Sequence, residues 1–201
     1  MAVNPEELLN TISFTLNGQE VLASEGETLL DVAKRQGLEI PHLCYSDRQG
    51  EAGNCRACMV EVDCERVLAP SCCRKPSEDM VVKTDSERAI KAQSMVLELL
   101  KADVSEQPQT LNSELDHWAG KLDIGLPRFE AREQPPCDLS NPGIAVNMDA
   151  CIQCTRCLRA CRDEQNNDVI GLAMRGSHAE IVFDLDDPMG ESTCVACGEC
   201  V

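Results

Sequence analysis

Aromatic side chains are nearly missing from this 201-residue chain, which has three Phe, one Tyr and one Trp. A core built on buried rings is excluded, so something else must hold together a chain long enough for one medium domain or two to three small ones. Basic residues are also scarce, 18 Lys and Arg against 35 Asp and Glu, for a net charge of -17. Phosphate contacts need clustered cations, so nucleic acid is not expected as a partner. No apolar run approaches the roughly 18 residues of a membrane span. The opening MAVNPEELLN has neither a basic n-region nor an apolar h-region. The expectation is a cytoplasmic protein with no membrane partner. Phosphate loops and dinucleotide turns need closely spaced glycines, and here they are scattered. No nucleophile and base stand in a catalytic arrangement, so no catalytic residue is expected within 1–201.

Cysteine is what the chain has in abundance, 14 residues in two blocks, six within 44–73 and eight within 137–201, with none between Arg74 and Pro136. In a reducing compartment, C-x-x-C spacing points to metal thiolates or redox pairs rather than structural disulfides. The blocks predict two metal-bearing modules joined by a spacer, with boundaries at 1–84, 85–142 and 143–201.

The fold class expected is α+β. In ISFTLNGQEVLA, Ile12, Phe14 and Leu16 alternate with polar residues, Asn17-Gly18 signals a type I′ turn, and Val21 and Ala23 resume the alternation. ETLLDVAKRQG predicts a short helix with Leu29, Leu30 and Ala33 inward and Gly37 as its stop. CMVEVDCERVLAPS adds two short strands. Hairpin, helix, cysteine-bearing loop and further strands is the order of a β-grasp sheet. The spacer should hold a helix from about Asp85 to Ala102, opened by a capping box Thr84-Asp85-Ser86-Glu87, with Ala89, Ile90, Val96, Leu97 and Leu100 on one face. From Val104 to Gly143 the chain is polar and Pro-rich (QPQT, LPRF, QPPCDLSNPG), which predicts an extended surface connection.

The first block reads Cys44-x10-Cys55-x2-Cys58-x13-Cys72. This keeps the C-x2-C pair and distant fourth cysteine of a plant-type [2Fe-2S] set but lengthens the first interval. Gly50 and Gly53 allow the loop to wrap closely and aim N-H groups at sulfur. A four-cysteine zinc site is the alternative, although zinc knuckles usually come in pairs and this block has one. The second block, Cys151, Cys154, Cys157 and Cys161, matches the bacterial C-x2-C-x2-C-x3-C run, and Cys194, Cys197 and Cys200 repeat its first three cysteines. In a two-cluster ferredoxin the fourth cysteine of each run serves the other cluster. Cys161 with Cys194, Cys197 and Cys200 would complete one [4Fe-4S] set. Cys151, Cys154 and Cys157 would need a ligand three residues beyond Val201, as if the chain stopped inside the motif.

Cys64, Cys73 and Cys137 are expected to be small, partly buried thiols. Cys73 could stand in for Cys72, and Cys137 could supply the missing cubane ligand. His42 is expected to be a hydrogen-bonding loop residue, and His117 and His178 to be surface or packing residues. Arg56, Arg156 and Arg159, interleaved with the cysteines, would either offset cluster charge and raise potentials or be solvated.

GNCRACMVEVDCERVLAPSCCRKP, NMDACIQCTRCLRACRDEQNNDVIGLAMRG and VFDLDDPMGESTCVACGECV resemble the N-terminal region of the α subunit of cytosolic, NAD-dependent, molybdenum-containing formate dehydrogenases. More distantly they resemble the large iron-sulfur subunit of complex I and the diaphorase subunit of NAD-reducing hydrogenases. The resemblance implies one [2Fe-2S] cluster on Cys44, Cys55, Cys58 and Cys72 and two [4Fe-4S] clusters on the later runs. It implies an electron-transfer segment carrying electrons from a molybdopterin site (Mo or W) outside these residues towards FMN and NAD. The implied partners are a flavin/NAD-binding subunit, a small iron-sulfur subunit and a molybdopterin domain. DHWAGKLDIGLPRF holds His117 but no cysteine, so the extra His-and-Cys cluster of the complex I relatives is not expected. A stand-alone multi-cluster ferredoxin, a hydrogenase diaphorase subunit and a structural zinc protein are the rivals.

Overall fold

The computed structural model describes residues 11–104 and 113–200. MAVNPEELLN, QPQT and Val201 lie outside the described residues. The chain forms two compact units, one from residues 1–42 and 50–96 and the other from 43–49 and 97–201.

The first unit is built on a five-stranded sheet in the order β2-β1-β5-β3-β4. Strands β1 (Thr11–Leu16) and β2 (Gln19–Ser24) form the antiparallel hairpin, with Phe14 opposite Val21 and Ile12 opposite Ala23. Asn17 and Gly18 both have positive φ (50° and 80°), as a type I′ turn requires. Helix α1 (Leu29–Arg35) opens on a full capping box between Thr28 and Asp31. It closes as a Schellman motif: Gly37 (φ +72°) donates to the Lys34 carbonyl and Leu38 to that of Ala33. Leu29, Leu30 and Ala33 are buried as expected, together with Val32.

Strands β3 (Met59–Val62) and β4 (Ala69–Pro70) pair antiparallel. A fifth strand, β5 (Val81–Lys83), was not expected from the sequence, yet it lies between β1 and β3 and runs parallel to β1. Three residues are too few to show a period, so only long-range pairing defines it.

Helix α2 (Glu87–Asp103) carries the chain from one unit into the other. Its start corrects the sequence reading. Ser86, not Thr84, caps it by accepting from the Ala89 N-H at 3.2 Å, while Thr84 exchanges two 2.8 Å hydrogen bonds with the Asn17 side chain. Its inward face is also displaced from the expected one. Ala89, Gln93 and Leu97 are buried at four-residue spacing, while Ile90 is exposed. Gln93 is tolerated there because its amide donates to the Met59 carbonyl at 2.8 Å.

In the second unit the stretch after Val104 is not simply extended. Helix α3 (Glu114–Lys121) buries Leu115, Trp118 and Ala119, and Ser113 caps it through the Asp116 N-H. Later residues bind the end of α2. Arg128 donates three hydrogen bonds to Glu98, at 3.0, 2.7 and 2.7 Å, and the Gln134 amide donates to the Asp103 carbonyl. The remaining core holds Met148, Cys161, Val169, Ile170, Ile181, Phe183 and Met189, around the antiparallel hairpin of β6 (Ile170–Ala173) and β7 (Glu180–Phe183). A short helix, α4 (Arg156–Arg159), runs into a π-helical turn at Ala160–Glu164 and carries Cys157 and Cys161. No helix among the described residues is long and apolar enough to cross a membrane.

Candidate iron-sulfur sites

In the first unit, backbone pairing brings two distant cysteines together. Ser71 donates to the Cys58 carbonyl, extending the β3–β4 ladder, and the first-turn N-H groups of α1 at Leu29 and Leu30 bond the carbonyls of Arg74 and Ser71. Those N-H groups have no partner inside a helix, so α1 holds the Cys72 segment by its unspent donors. As a result Cys58 and Cys72, 1% and 0% exposed, stand with their sulfurs 3.4 Å apart. Cys55 is half-buried. Cys73 is exposed, with its sulfur 3.5 Å from that of Cys72. Gly53, at φ +67°, lies so close that a Cβ there would stand 3.1 Å from the Cys73 sulfur. The buried Ser71 hydroxyl, next to Cys72, has no hydrogen-bond partner among the described residues. Sulfur acceptors would satisfy it.

Cys44 is 1% exposed and belongs to the second unit, within 43–49. There Arg159 donates to the carbonyls of Cys44 and, at 3.1 Å, Gln49. Arg156 donates to the Tyr45 carbonyl at 2.5 Å, and its own carbonyl accepts from the Gln49 amide at 3.0 Å.

The two later cysteine runs share one backbone design. In each, the second residue after the first cysteine has left-handed φ (Gln153 at 54°, Ala196 at 54°), and so has the fourth (Thr155 at 62°, Gly198 at 79°). Three of these four are not glycine, and a β-branched Thr at positive φ is an outlier held by its surroundings. The conformation turns N-H groups onto sulfur: Ala196 donates to the Cys194 sulfur at 3.4 Å, and Gln153 does the same for Cys151. Cys161, Cys194, Cys197 and Cys200 line one cavity together with Ile144, Val169 and Ile170 and the polar Asn167 and Glu199.

Crowding is visible in the thiol acidities. Burial first, then the nearby Cys154, Cys151 and Cys200, push the Cys157 thiol up to about 12. Burial and then Cys194, Cys197 and Cys161 raise Cys200, and burial with Cys154 raises Cys151. Such sets stay protonated unless cations offset the charge of their thiolates. Among the described residues, no group of three or more His, Cys, Asp or Glu converges as ligands of a single metal ion.

The leftover residues are more exposed than their sequence reading. Cys64, Cys73 and Cys137 are all exposed rather than partly buried. The Cys137 sulfur lies 3.3 Å from the Asn147 side-chain oxygen. His42 is hydrogen-bonded to the Ile40 carbonyl, and the exposed His117 ring meets Trp118 edge-on. Arg56 is solvated, whereas Arg159 is buried.

Residues 10–87 match a family model described as a 2Fe-2S iron-sulfur cluster binding domain. Residues 141–192 match NADH-quinone oxidoreductase subunit 3, ferredoxin-like domain. Two separate segments of the chain are thus similar to iron-sulfur and ferredoxin-like domains. The chain is 33% identical over 207 residues to the NADP-reducing hydrogenase subunit HndD of Solidesulfovibrio fructosivorans, covering 96% of this chain and 35% of that one. It is 34% identical over 183 residues to an NADH-quinone oxidoreductase subunit of Rickettsia bellii, covering 89% and 27%. A putative formate dehydrogenase of Staphylococcus aureus is 28% identical over 195 residues, covering 92% and 19%. The chain thus spans about a third or less of the curated relatives it matches. A solved NAD+-reducing [NiFe]-hydrogenase chain superposes with a TM-score of 0.82 at 26% identity, over 92% of this chain and 80% of that one.

The residues present fit such groups. Thiolates suit iron, the cavity at Cys200 has the apolar wall that shields a cluster, and the left-handed turns and Ser71 supply donors for sulfur.

Proposed function

We propose that the chain is an electron-transfer segment of an NAD-linked oxidoreductase, the reading carried by the cavity that gathers Cys161, Cys194, Cys197 and Cys200 from two separated runs. Its segments are a β-grasp module at 1–84, a spacer at 85–142 and a two-cluster ferredoxin module at 143–201. Cys44, Cys55, Cys58 and Cys72 would hold a [2Fe-2S] cluster, and Cys161, Cys194, Cys197 and Cys200 a [4Fe-4S] cluster. Cys151, Cys154 and Cys157 would take part in holding a second [4Fe-4S] cluster. When bound, these groups accept and release single electrons. The protein's part is to exclude water with Ile144, Val169 and Ile170, aim N-H groups at sulfur, and keep the cysteine loops in register. Thiols used this way suit the reducing cytoplasm.

The reductant proposed is formate, oxidised at a molybdopterin site in another domain or subunit, with electrons leaving through FMN to NAD on partner subunits. The residue resemblance and the putative formate dehydrogenases favour it. The hydrogenase relatives, one at 33% identity and the other with the 0.82 superposition, favour hydrogen as the second reading. The complex purified from its native cell separates the two: formate should reduce the clusters and NAD, and hydrogen should not. Reduction by hydrogen alone would replace the formate reading with the hydrogenase one, and reduction by neither would remove both.

A further inference from the structure

The segment 43–49 is fastened to the cubane-ligand run by arginines whose positions alternate with its cysteines. Arg159 lies between Cys157 and Cys161 and is only 8% exposed, yet its guanidinium spends donors on two main-chain carbonyls, Cys44 and Gln49. Burying a guanidinium is costly, so a site that keeps one needs it. Arg156 reinforces the contact at Tyr45 and is held by Glu114 at 2.6 Å. From the other side, Arg48 reaches Glu164 at 2.5 Å and Glu199, the neighbour of Cys200, at 2.6 Å. Arg162, one residue from Cys161, makes a useful contrast. It pairs with Asp163 and is half exposed.

We propose that Arg159 is a positioning residue shared by two cluster sites: from the run that carries Cys157 and Cys161 it fixes the backbone of Cys44 and places one buried positive charge between that run and the segment 43–49. The inference rests on the ligand assignment above. A fixed cation favours the reduced, more negative state of a thiolate-bound cluster, so one side chain sets how readily both sites take an electron. The planar fork suits two carbonyls at once, which a lysine ammonium on a flexible stem does not reproduce.

The test uses the iron-loaded full chain and its R159Q, R159K, R162Q and C44S variants. Each is poised at a series of solution potentials and read by EPR beside an iron count. R159Q should lower the reduced fraction of both the [2Fe-2S] and the [4Fe-4S] signals at least threefold at fixed potential. R162Q should move neither signal as far. R159K should keep the [4Fe-4S] fraction and shift the [2Fe-2S] one at least twofold. Loss of the [2Fe-2S] signal alone in R159Q also supports the proposal, because it reports a displaced Cys44. Equal effects from R159Q and R162Q, or movement of the [4Fe-4S] signals only, would overturn it. So would loss of all iron in both Arg159 variants, which marks a plain folding role. C44S separates the two levels of the argument. If it keeps a native [2Fe-2S] signal, the ligand assignment fails. If it abolishes that signal while R159Q changes nothing, the assignment stands and the Arg159 inference falls.

Discussion

Gly190→Ala tests how the loop before Cys194 is held. Gly190 has no positive φ, so alanine is conformationally allowed there and the cost is steric. A Cβ at this position would stand 2.4 Å from the Ser140 carbonyl oxygen and 2.6 Å from its carbon. Both are main-chain atoms that cannot swing away. The two loop segments must part, and with them go the 2.8 Å bond from the Gly190 N-H to the Ser140 hydroxyl and the 2.6 Å bond from the Met189 N-H to Asp138. Met189 is 1% exposed in the core beside the cysteines, so parting also loosens packing. Overpacking of this kind costs about 2 kcal/mol, which is about thirtyfold in an opening equilibrium. Hydrogen exchange by mass spectrometry reads that equilibrium locally and needs no two-state assumption in a cluster-bearing protein. Peptides covering 183–193 should exchange about thirtyfold faster in G190A than in wild type. Gly125→Ala, where nothing lies within 4 Å, should leave exchange unchanged. Because Asp138 accepts from Met189 and Ser140 in the same contact, the effects of D138N and G190A should fall short of additivity. Unchanged exchange in folded G190A, or full additivity with D138N, would refute the reasoning.

Cys58→Ser should abolish the [2Fe-2S] EPR signal and spare the [4Fe-4S] signals, whereas Cys73→Ser, at an exposed thiol, should change neither; a persisting [2Fe-2S] signal in C58S rejects the assignment. Arg128 hydrogen bonds, side chain first and then main chain, bring Glu98 down to about 2. A carboxyl depressed on folding stabilises above its unfolded value of about 4.3 and loses that contribution as pH falls towards the folded value. Exchange protection near Arg128 should therefore exceed that of E98Q at neutral pH, and the difference should shrink as pH falls below about 4.3; a difference independent of pH contradicts this. Gln93→Leu orphans the Met59 carbonyl at a buried site and should cost about 1–3 kcal/mol, seen as a lower urea midpoint for first-unit peptides in exchange experiments; an unmoved midpoint would show that the carbonyl finds another donor.

The parts of the fold legible in the sequence were those written in local chemistry. Asn17-Gly18 can take two positive φ angles in succession, and Gly37 can end a helix, whatever surrounds them. Helix α2 was legible as a helix, but its face was not. Apolarity pointed to Ile90, while burial fell on Gln93, because a side chain that donates to a carbonyl can stand in a core. Helix α3 was missed because most of the stretch around it is polar and Pro-rich, and only packing of Leu115, Trp118 and Ala119 gives it a buried side.

Cysteine spacing alone determined the candidate ligands and the chemistry they suit, since thiolate runs three residues apart place sulfur at intervals that metal geometry selects. Tertiary structure decided the rest. It buried the Cys72 sulfur and exposed that of its neighbour Cys73. It set the backbone of both later runs into the same left-handed turns. It also assigned Cys44 to the second unit and turned Arg159 from one of several charges beside cysteines into a buried clamp on the Cys44 carbonyl. No spacing encodes such a contact, because its partners are separated by 115 positions and meet only when the chain has folded.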